Sequence, residues 1–368
     1  MKFIAQRTDF LDGLEKTYPV VATKSTLSIL ANALIETEGS EVVLTTTNLQ
    51  VAIRCKMPAN ILEGGSTTLP ARTLFEIARE VQAAEVAVEV GPENVASITS
   101  GTSFFKVLGI SKEEFPRVVE FEGDPVFTMP QAVLKTMLHR TSFAVSREDP
   151  RHFLTGLYFL IKESHLLLVG TDGRRLSRIT CDLNTPPEFS ASIIVPIKAI
   201  EELEKMLGTD GEALVFLSGN QVGFKVGTDL LVSLLIDAKF PDYEGVIPKT
   251  SASRAFLPRE EFAAMVRQAA LLTSEQSSSV RLAFSREELV ITASTPELGE
   301  ARVAMPVRYE GKPVTIGFNP RCLRDVLNCM DEDEVNFGLI DSVSPGVISG
   351  EGSFMHLIMP MRLPEAES

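Results

Sequence analysis

Apolar positions along the chain follow two rhythms, one with helical spacing and one that alternates, and the same order of rhythms recurs three times. The helical rhythm is clearest in LPARTLFEIAREV (69–81), VPIKAIEELEKML (195–207) and FNPRCLRDVLNCM (318–330). Each opens with proline near its first turn and continues with apolar residues at i, i+3 and i+4, the pattern of a helix entered from a strand. In register, Arg72, Lys198 and Arg321 share a column, spaced 126 and 123. Leu74, Ile200 and Leu323 share the next, followed by Glu76, Glu202 and Asp325, then by Ile77, Leu203 and Val326.

Two further columns keep nearly the same period. Thr47, Thr171 and Thr295 lie 124 apart both times, each closing an apolar strand-like run. Leu30, Leu154 and Val280, spaced 124 and 126, are expected to open further strands. A helix is predicted early in each repeat, at roughly 7–16, 130–140 and 258–270. Alternating runs such as EVAVEV, SITSGTSFFKVL, ALVFLS and QVGFKVG predict antiparallel strands separated by turns. The reading is an α+β fold of three repeated domains, each with two helices packed on one face of antiparallel sheet. Polar breaks at EFEGDPVF (120–127) and PKTSASRAF (248–256) set the domains at 1–121, 127–248 and 254–368, the last ending in a frayed PEAES tail.

Composition adds limits. The 368 residues suit two or three cores, and 44% hydrophobic with 23% charged residues is ordinary for a globular chain. The net charge of −14 is unlike that of a simple DNA-binding domain. Cys55, Cys181, Cys322 and Cys329 lack the CxxC spacing of a zinc site and read as buried, reduced thiols. The opening MKFIAQRTDFLDGL has charge every few residues and no apolar secretory segment, and no run approaches a membrane span. A cytoplasmic protein is expected.

The usual chemical motifs are missing: no phosphate-binding GxxxxGK[ST], no GxGxxG opening a helix, no HExxH and no GxSxG. His139, His152, His165 and His356 are scattered, so no metal or cofactor is expected. Asp331, Glu332, Asp333 and Glu334 read as a solvated turn after a helix. Glu201, Glu202 and Glu204 are accounted for by helical ion pairing with Lys198 and Lys205. GTDGRRL (170–176) resembles a phosphate loop only loosely, and its repeat partners mark it as a turn at a strand end.

Positive charge is distributed with more order. Arg72 and Arg79 are seven apart, as are Lys198 and Lys205; Arg321 and Arg324 are three apart, and Arg259 and Arg267 eight. Lys135 precedes His139 and Arg140 by four and five. Such spacings place basic groups on one helix face in five of the six predicted helices. If these faces share a direction, an acidic chain gains one positive surface, suited to phosphates without sequence preference.

The threefold repeat, TDGRRL at 171–176, KFPDYEGVIP at 239–248 and MPMRL at 359–363 together resemble the bacterial sliding clamps, the DNA polymerase III β subunit family. The resemblance runs along essentially the whole chain. It implies a non-catalytic head-to-tail homodimer whose six domains close a ring around double-stranded DNA, opened by a clamp loader. It also implies that replicative polymerases and repair proteins dock short hydrophobic peptides in a cleft between the second and third domains.

Carried over by residue, the resemblance implies a cleft made of Leu154, Thr171, Gly173, Arg174, Arg175, Leu176, Pro241 and Val246. The terminal stretch Ile358, Met359, Pro360, Met361 and Arg362 completes it. Methionine and leucine suit such a surface because they adapt to many peptides. The implied DNA-facing set is Lys24, Arg72, Arg79, Arg151 and Lys198, with Glu148, His152 and Phe153 by position. The implied dimer contact pairs Phe105–Leu108 of one chain with Leu271 and Leu272 of the other. The chain departs from the family at Gly245, where many members carry arginine, at Glu148, where a neutral amide is common, and at Ile197, where a basic residue is frequent. Two other classes stay open: a hydrolase or transferase using Asp172 and Arg175, and a repeat scaffold that binds proteins but no DNA.

Overall fold

Proline ends the strand that leads into four helices: Pro70, Pro130, Pro196 and Pro258. It has no amide hydrogen to give a ladder, and its fixed φ suits the turn into a helix. A fifth helix, which begins at Pro320, is capped by Asn319, whose Oδ1 accepts the Arg321 amide at 2.8 Å. The computed structural model describes residues 1–22, 26–121, 123–274, 279–350 and 352–362.

The first repeat runs β1 (Lys2–Gln6), α1 (Arg7–Thr17), β2 (Asn32–Glu38), β3 (Glu41–Thr47), β4 (Val51–Pro58) and β5 (Asn60–Glu63). It continues with β6 (Ser66–Pro70), α2 (Ala71–Glu80), β7 (Glu85–Val90), β8 (Val95–Ser100) and β9 (Ser103–Leu108). The second has β10 (Phe127–Pro130), α3 (Gln131–Ser142), β11 (Gly156–Lys162), β12 (His165–Thr171) and β13 (Arg175–Asp182). After these come β14 (Ala191–Pro196), α4 (Ile197–Met206), β15 (Glu212–Ser218), β16 (Gln221–Val226) and β17 (Asp229–Leu234). The third holds β18 (Ser253–Pro258), α5 (Arg259–Ala270), β19 (Val280–Phe284), β20 (Glu288–Thr295), β21 (Gly299–Pro306) and β22 (Arg308–Glu310). It ends with β23 (Val314–Phe318), α6 (Pro320–Cys329), β24 (Glu334–Leu339), β25 (Gly346–Ser349) and β26 (Met355–Ile358).

The chain divides into two compact units, Met1–Lys135 with Lys198–Leu235, and Thr136–Ile197 with Ile236–Ser368. In the first, one sheet has the order β5-β1-β7-β8-β9 and the other β10-β15-β16-β17-β4-β3-β2-β6. In the second, the orders are β14-β11-β12-β13-β26-β25-β24-β18-β22 and β21-β20-β19-β23. Each unit therefore contains one antiparallel joint between repeats: β17 on β4 in the first, β26 on β13 in the second. Helices α1 and α2 pack together in the first unit, α5 and α6 in the second. α2 buries Leu74, Ile77 and Ala78 into a core with Phe3, Phe10, Leu44, Val86 and Ile98, while its opposite face carries Arg72 and Arg79.

The repeat reading is refined in places. Thr47, Thr171 and Thr295 are the last residues of β3, β12 and β20, as expected. Leu30 and Leu154 instead lie in 3₁₀ turns just ahead of their strands, and the strand starts Asn32, Gly156 and Val280 keep the period of 124 both times. The acidic run is not uniformly solvated. Glu332 is nearly buried and pairs with Arg140 at 3.0 Å, because a cation inside the second unit needs a counter-charge. Cys55 and Cys329 are buried, but Cys181 and Cys322 are only half-buried; all four are free.

Candidate functional site

The turn Thr171–Arg175 shapes the mouth of a pocket of about 270 Å³ in the second unit. Thr171 Oγ1 donates to the Arg175 carbonyl at 2.6 Å and accepts the Gly173 amide at 3.1 Å. Asp172 Oδ1 accepts the amides of Arg174 (2.8 Å) and Arg175 (3.0 Å). This turn drives position 173 to φ +84°, where glycine has no steric penalty. β26 lies against β13 and brings Leu357 to the pocket; the Met359 amide then donates to the Arg174 carbonyl at 2.9 Å. The KFPDYEGVIP stretch supplies Pro241, Tyr243 and Val246, anchored by Phe240 stacked on Tyr158 at 4.4 Å.

A buried cation forms part of the wall. Arg175 Nε donates to Asp172 Oδ2 (3.0 Å), one terminal nitrogen to Asp325 Oδ2 (2.6 Å) and the other to the Phe143 carbonyl (2.7 Å). Burial works against its charge, but the hydrogen bond to Asp325 and the nearby carboxylates outweigh it and raise its pKa above the usual arginine range. At the rim, exposed Arg151 chelates Asp149 through contacts of 2.9 and 3.0 Å, whose hydrogen bonds hold the Asp149 pKa down to about 2. Nearby, His356 is wholly buried with its ring centroid 5.3 Å from that of Phe143. Burial first, and Arg175 second, push its pKa down to about 3, so the ring is neutral.

Of the residues expected in the cleft, Leu154, Thr171, Gly173, Arg175, Leu176, Pro241, Val246 and Met359 line this pocket. Arg174, Ile358, Pro360, Met361 and Arg362 do not. Ile358 is buried in β26, Met361 donates its amide to the Gly317 carbonyl at 2.8 Å, and Arg362 is exposed. Arg151 and Phe153, expected to face DNA, are in the pocket wall. Asp242, Tyr243 and Leu357 also line it without having been singled out. Their signals were legible: the first two adjoin Pro241, and Leu357 sits two positions before Met359, hence on the same strand face.

Arg72 and Arg79 stand exposed on α2, paired with Glu76 (2.9 Å) and Glu80 (3.1 Å). Lys198 on α4 is exposed, as are Glu148 and His152 ahead of β11. Lys24 lies outside the described residues. The expected basic face of α3 is corrected: Lys135 donates to the Leu207 carbonyl at 2.7 Å, and Arg140 is buried against Glu332. Arg259 on α5 is turned inward too, donating to the Glu332 carbonyl at 2.8 Å. Buried helix ends and carboxylates attract these cations, and spacing alone did not reveal those partners.

At the implied dimer contact, Leu108 and Leu271 are 70% and 77% exposed. Phe105 is half-buried against the first core and Leu272 is half-buried, whereas neighbouring Phe104 is 63% exposed. Among the described residues no cluster of three or more His, Cys, Asp or Glu could hold a metal ion.

Three family models match in succession: the DNA polymerase III beta subunit N-terminal domain at residues 1–119, central domain at 128–242 and C-terminal domain at 244–362. The chain is 38% identical to the beta sliding clamp of Chlamydia muridarum over 363 residues, covering 99% of each chain. The DNA polymerase sliding clamp of Bacillus subtilis is similar with a TM-score of 0.94 at 27% identity, covering 99% of this chain and 100% of the other. A Pseudomonas aeruginosa sliding clamp bound to griselimycin has a TM-score of 0.94 at 32% identity, with the same coverage.

Proposed function

The chain belongs to the DNA polymerase III beta subunit family, and from that premise we propose how this sliding clamp closes, holds DNA and receives partners. It is a non-catalytic processivity factor: a ring around duplex DNA that tethers polymerases. The three domains of the ring are taken as 1–121, 127–248 and 254–368, two chains supplying six.

One observation carries the closure. Leu230 faces Arg54 across the first joint, and Met355 faces Arg178 across the second. Arg54 and Arg178 are 124 apart, so both joints use one register. The equivalent strands at the chain's two ends, β9 and β21, are edge strands of their sheets. The same register sets Phe104 of one chain against the partner subunit's Ala301. Exposed Phe104, Leu108 and Leu271 are then covered, with Phe105 and Leu272 behind them. Such a heterologous contact closes when two copies bring six repeats together.

Arg72, Arg79 and Lys198 supply mobile phosphate contacts, and Lys24, Glu148 and His152 are counted with them in the DNA-facing set; only salt-dependent, sequence-independent binding is needed for sliding. The clamp loader, polymerases and repair proteins seat apolar peptide side chains on Leu154, Leu176, Pro241, Val246 and Met359. The P. aeruginosa relative bound to griselimycin supports a ligand-binding surface in this family. Arg175 is engaged with both Asp172 and Asp325, which disfavours a catalytic role for Asp172 and Arg175. No helix among the described residues is long and apolar enough to cross a membrane. A clamp works where chromosomal DNA is, and we place it in the cytoplasm.

Retention on DNA tests the ring. Loaded by its clamp loader, the protein is expected to stay on nicked circular DNA and to leave once the circle is linearised. Equal retention on both forms overturns the reading.

A further inference from the structure

Phe10 and Leu14 of α1, Leu134 and Leu138 of α3, and Phe262 and Val266 of α5 are buried at matching helical positions. Six residues after the first of each pair stand Lys16, Arg140 and Gln268. The first two are cations, and each reaches across a joint between repeats. Lys16 Nζ donates to Asp229 Oδ2 at 3.1 Å, at the first residue of β17. Arg140 bonds Glu332 at 3.0 Å, with its guanidinium 5.3 Å from the ring centroid of Phe354, the residue before β26.

Both ties are sheltered: the Asp229 side chain is 11% exposed and that of Glu332 is 9% exposed. Burial works against the charge of Lys16, but hydrogen bonds to Asp12 and Asp229 and the attraction of Asp229 outweigh it. Its pKa is raised above the usual lysine range, so the folded chain favours the cation and the tie is a net attraction. Parting the strands of either joint separates such a pair.

The joint between subunits has none of these groups. Gln268 takes the cation's place and is exposed. Ser103 is the first residue of β9, as Asp229 is of β17, and takes that acid's place. Ala83 takes the place of Glu332. The two lie eleven residues past Arg72 and Arg321, and each sits against a glycine of the hairpin turn ahead of its joint strand, Gly101 or Gly350. Lys106, Glu300 and Arg302 of the edge strands are at exposed positions, where ion pairs contribute little.

We propose that the column Lys16, Arg140 and Gln268 sets how readily each joint opens. A helix cation tied to an acid keeps the two joints within a chain shut. Neutral Gln268, with Ser103 and Ala83 of the partner subunit, leaves the joint between subunits as the one that yields. The inference rests on the ring reading and adds to it the side chains that make one joint unlike the others.

The test mixes full-length protein labelled with a donor dye and with an acceptor dye, and follows subunit exchange of the free dimer by energy transfer. Ser103→Asp/Gln268→Lys copies the Asp229–Lys16 pair into the subunit joint. Exchange is expected to slow by about tenfold or more, the effect of one charge-assisted bond. The like-charged Ser103→Lys/Gln268→Lys should exchange faster than the wild type, which altered packing alone does not produce. Conversely, Lys16→Gln/Asp229→Ser places the neutral pair in the first joint. The Leu234 amide, which donates to the Gln50 carbonyl across that joint, should then exchange its hydrogen about tenfold faster. Gel filtration separates the two readings: a wild-type monomer overturns the ring and the inference together. A dimer whose exchange is unchanged by Ser103→Asp/Gln268→Lys, or slowed equally by the like-charged variant, overturns the inference alone.

Discussion

Arg175 and Asp325 stand 150 residues apart in the chain and meet at 2.6 Å, a charged tie between the second and third repeats beside the second-unit pocket. The same Asp325 oxygen lies 4.0 Å from Arg321 Nε on the exposed face of α6. Asp325→Ala leaves the buried guanidinium with Asp172 and the Phe143 carbonyl alone. The expected cost is about 2 kcal/mol, below that of a fully unpaired buried charge because one carboxylate remains. Chemical denaturation measures it, and partner-peptide affinity falls in parallel; Asp325→Glu recovers part of both. A stability loss under about 0.5 kcal/mol, the range of an ordinary surface change, contradicts the tie.

His356 makes a distinct pH prediction. Its folded pKa, about 3, lies below the ordinary value of 6.5. A group shifted in this direction stabilises the fold above its unfolded pKa and loses that contribution as pH falls toward the folded one, because only the unfolded chain takes up the proton. Denaturation midpoints are therefore expected to drop between pH 6.5 and 5, before most carboxylates titrate. His356→Leu removes that part of the slope. A wild-type midpoint flat across this window rules the mechanism out.

The shared register of the two joints gives a cross-linking prediction. In the Phe104→Cys/Ala301→Cys double variant, directly opposed strand residues place their Cβ atoms about 4.5–5.5 Å apart. Mild oxidation should yield a covalent dimer on a non-reducing gel. Phe104→Cys/Arg302→Cys, displaced by one residue onto the other strand face, should yield far less. The reverse order of yields means the ends pair in another register.

Arg72→Ala/Arg79→Ala/Lys198→Ala removes three exposed cations. Stability should change by under about 0.5 kcal/mol per site, as for surface substitutions. DNA affinity measured against salt should lose slope by roughly 0.9 for each phosphate contact removed. An unchanged slope places the DNA path elsewhere.

Met359 is 42% exposed at the edge of the second-unit pocket, so Met359→Ala should be nearly neutral for folding. Polymerase stimulation on primed DNA should fall severalfold while the dimer persists by gel filtration. Truncating from Met359 is a poorer test, because the Met359 and Met361 amides bond to Arg174 and Gly317 and anchor the final segment.

The sequence by itself determined the threefold period, the helix positions to within a residue or two, and the turn at TDGRRL. Each of these depends on local chemistry: apolar spacing, proline at strand ends, and a threonine and an aspartate bonding to their own backbone. It also identified eight residues of the second-unit pocket through resemblance to a family. Only the tertiary structure decided which charges are free. Lys135, Arg140 and Arg259 have the spacing of a surface face, but each finds a carbonyl or carboxylate distant in sequence. Arg151 and Phe153 line the second-unit pocket, and Phe104 is the exposed aromatic of β9. The partners of those three cations lie 72 to 192 residues away along the chain, and no local pattern encodes that distance.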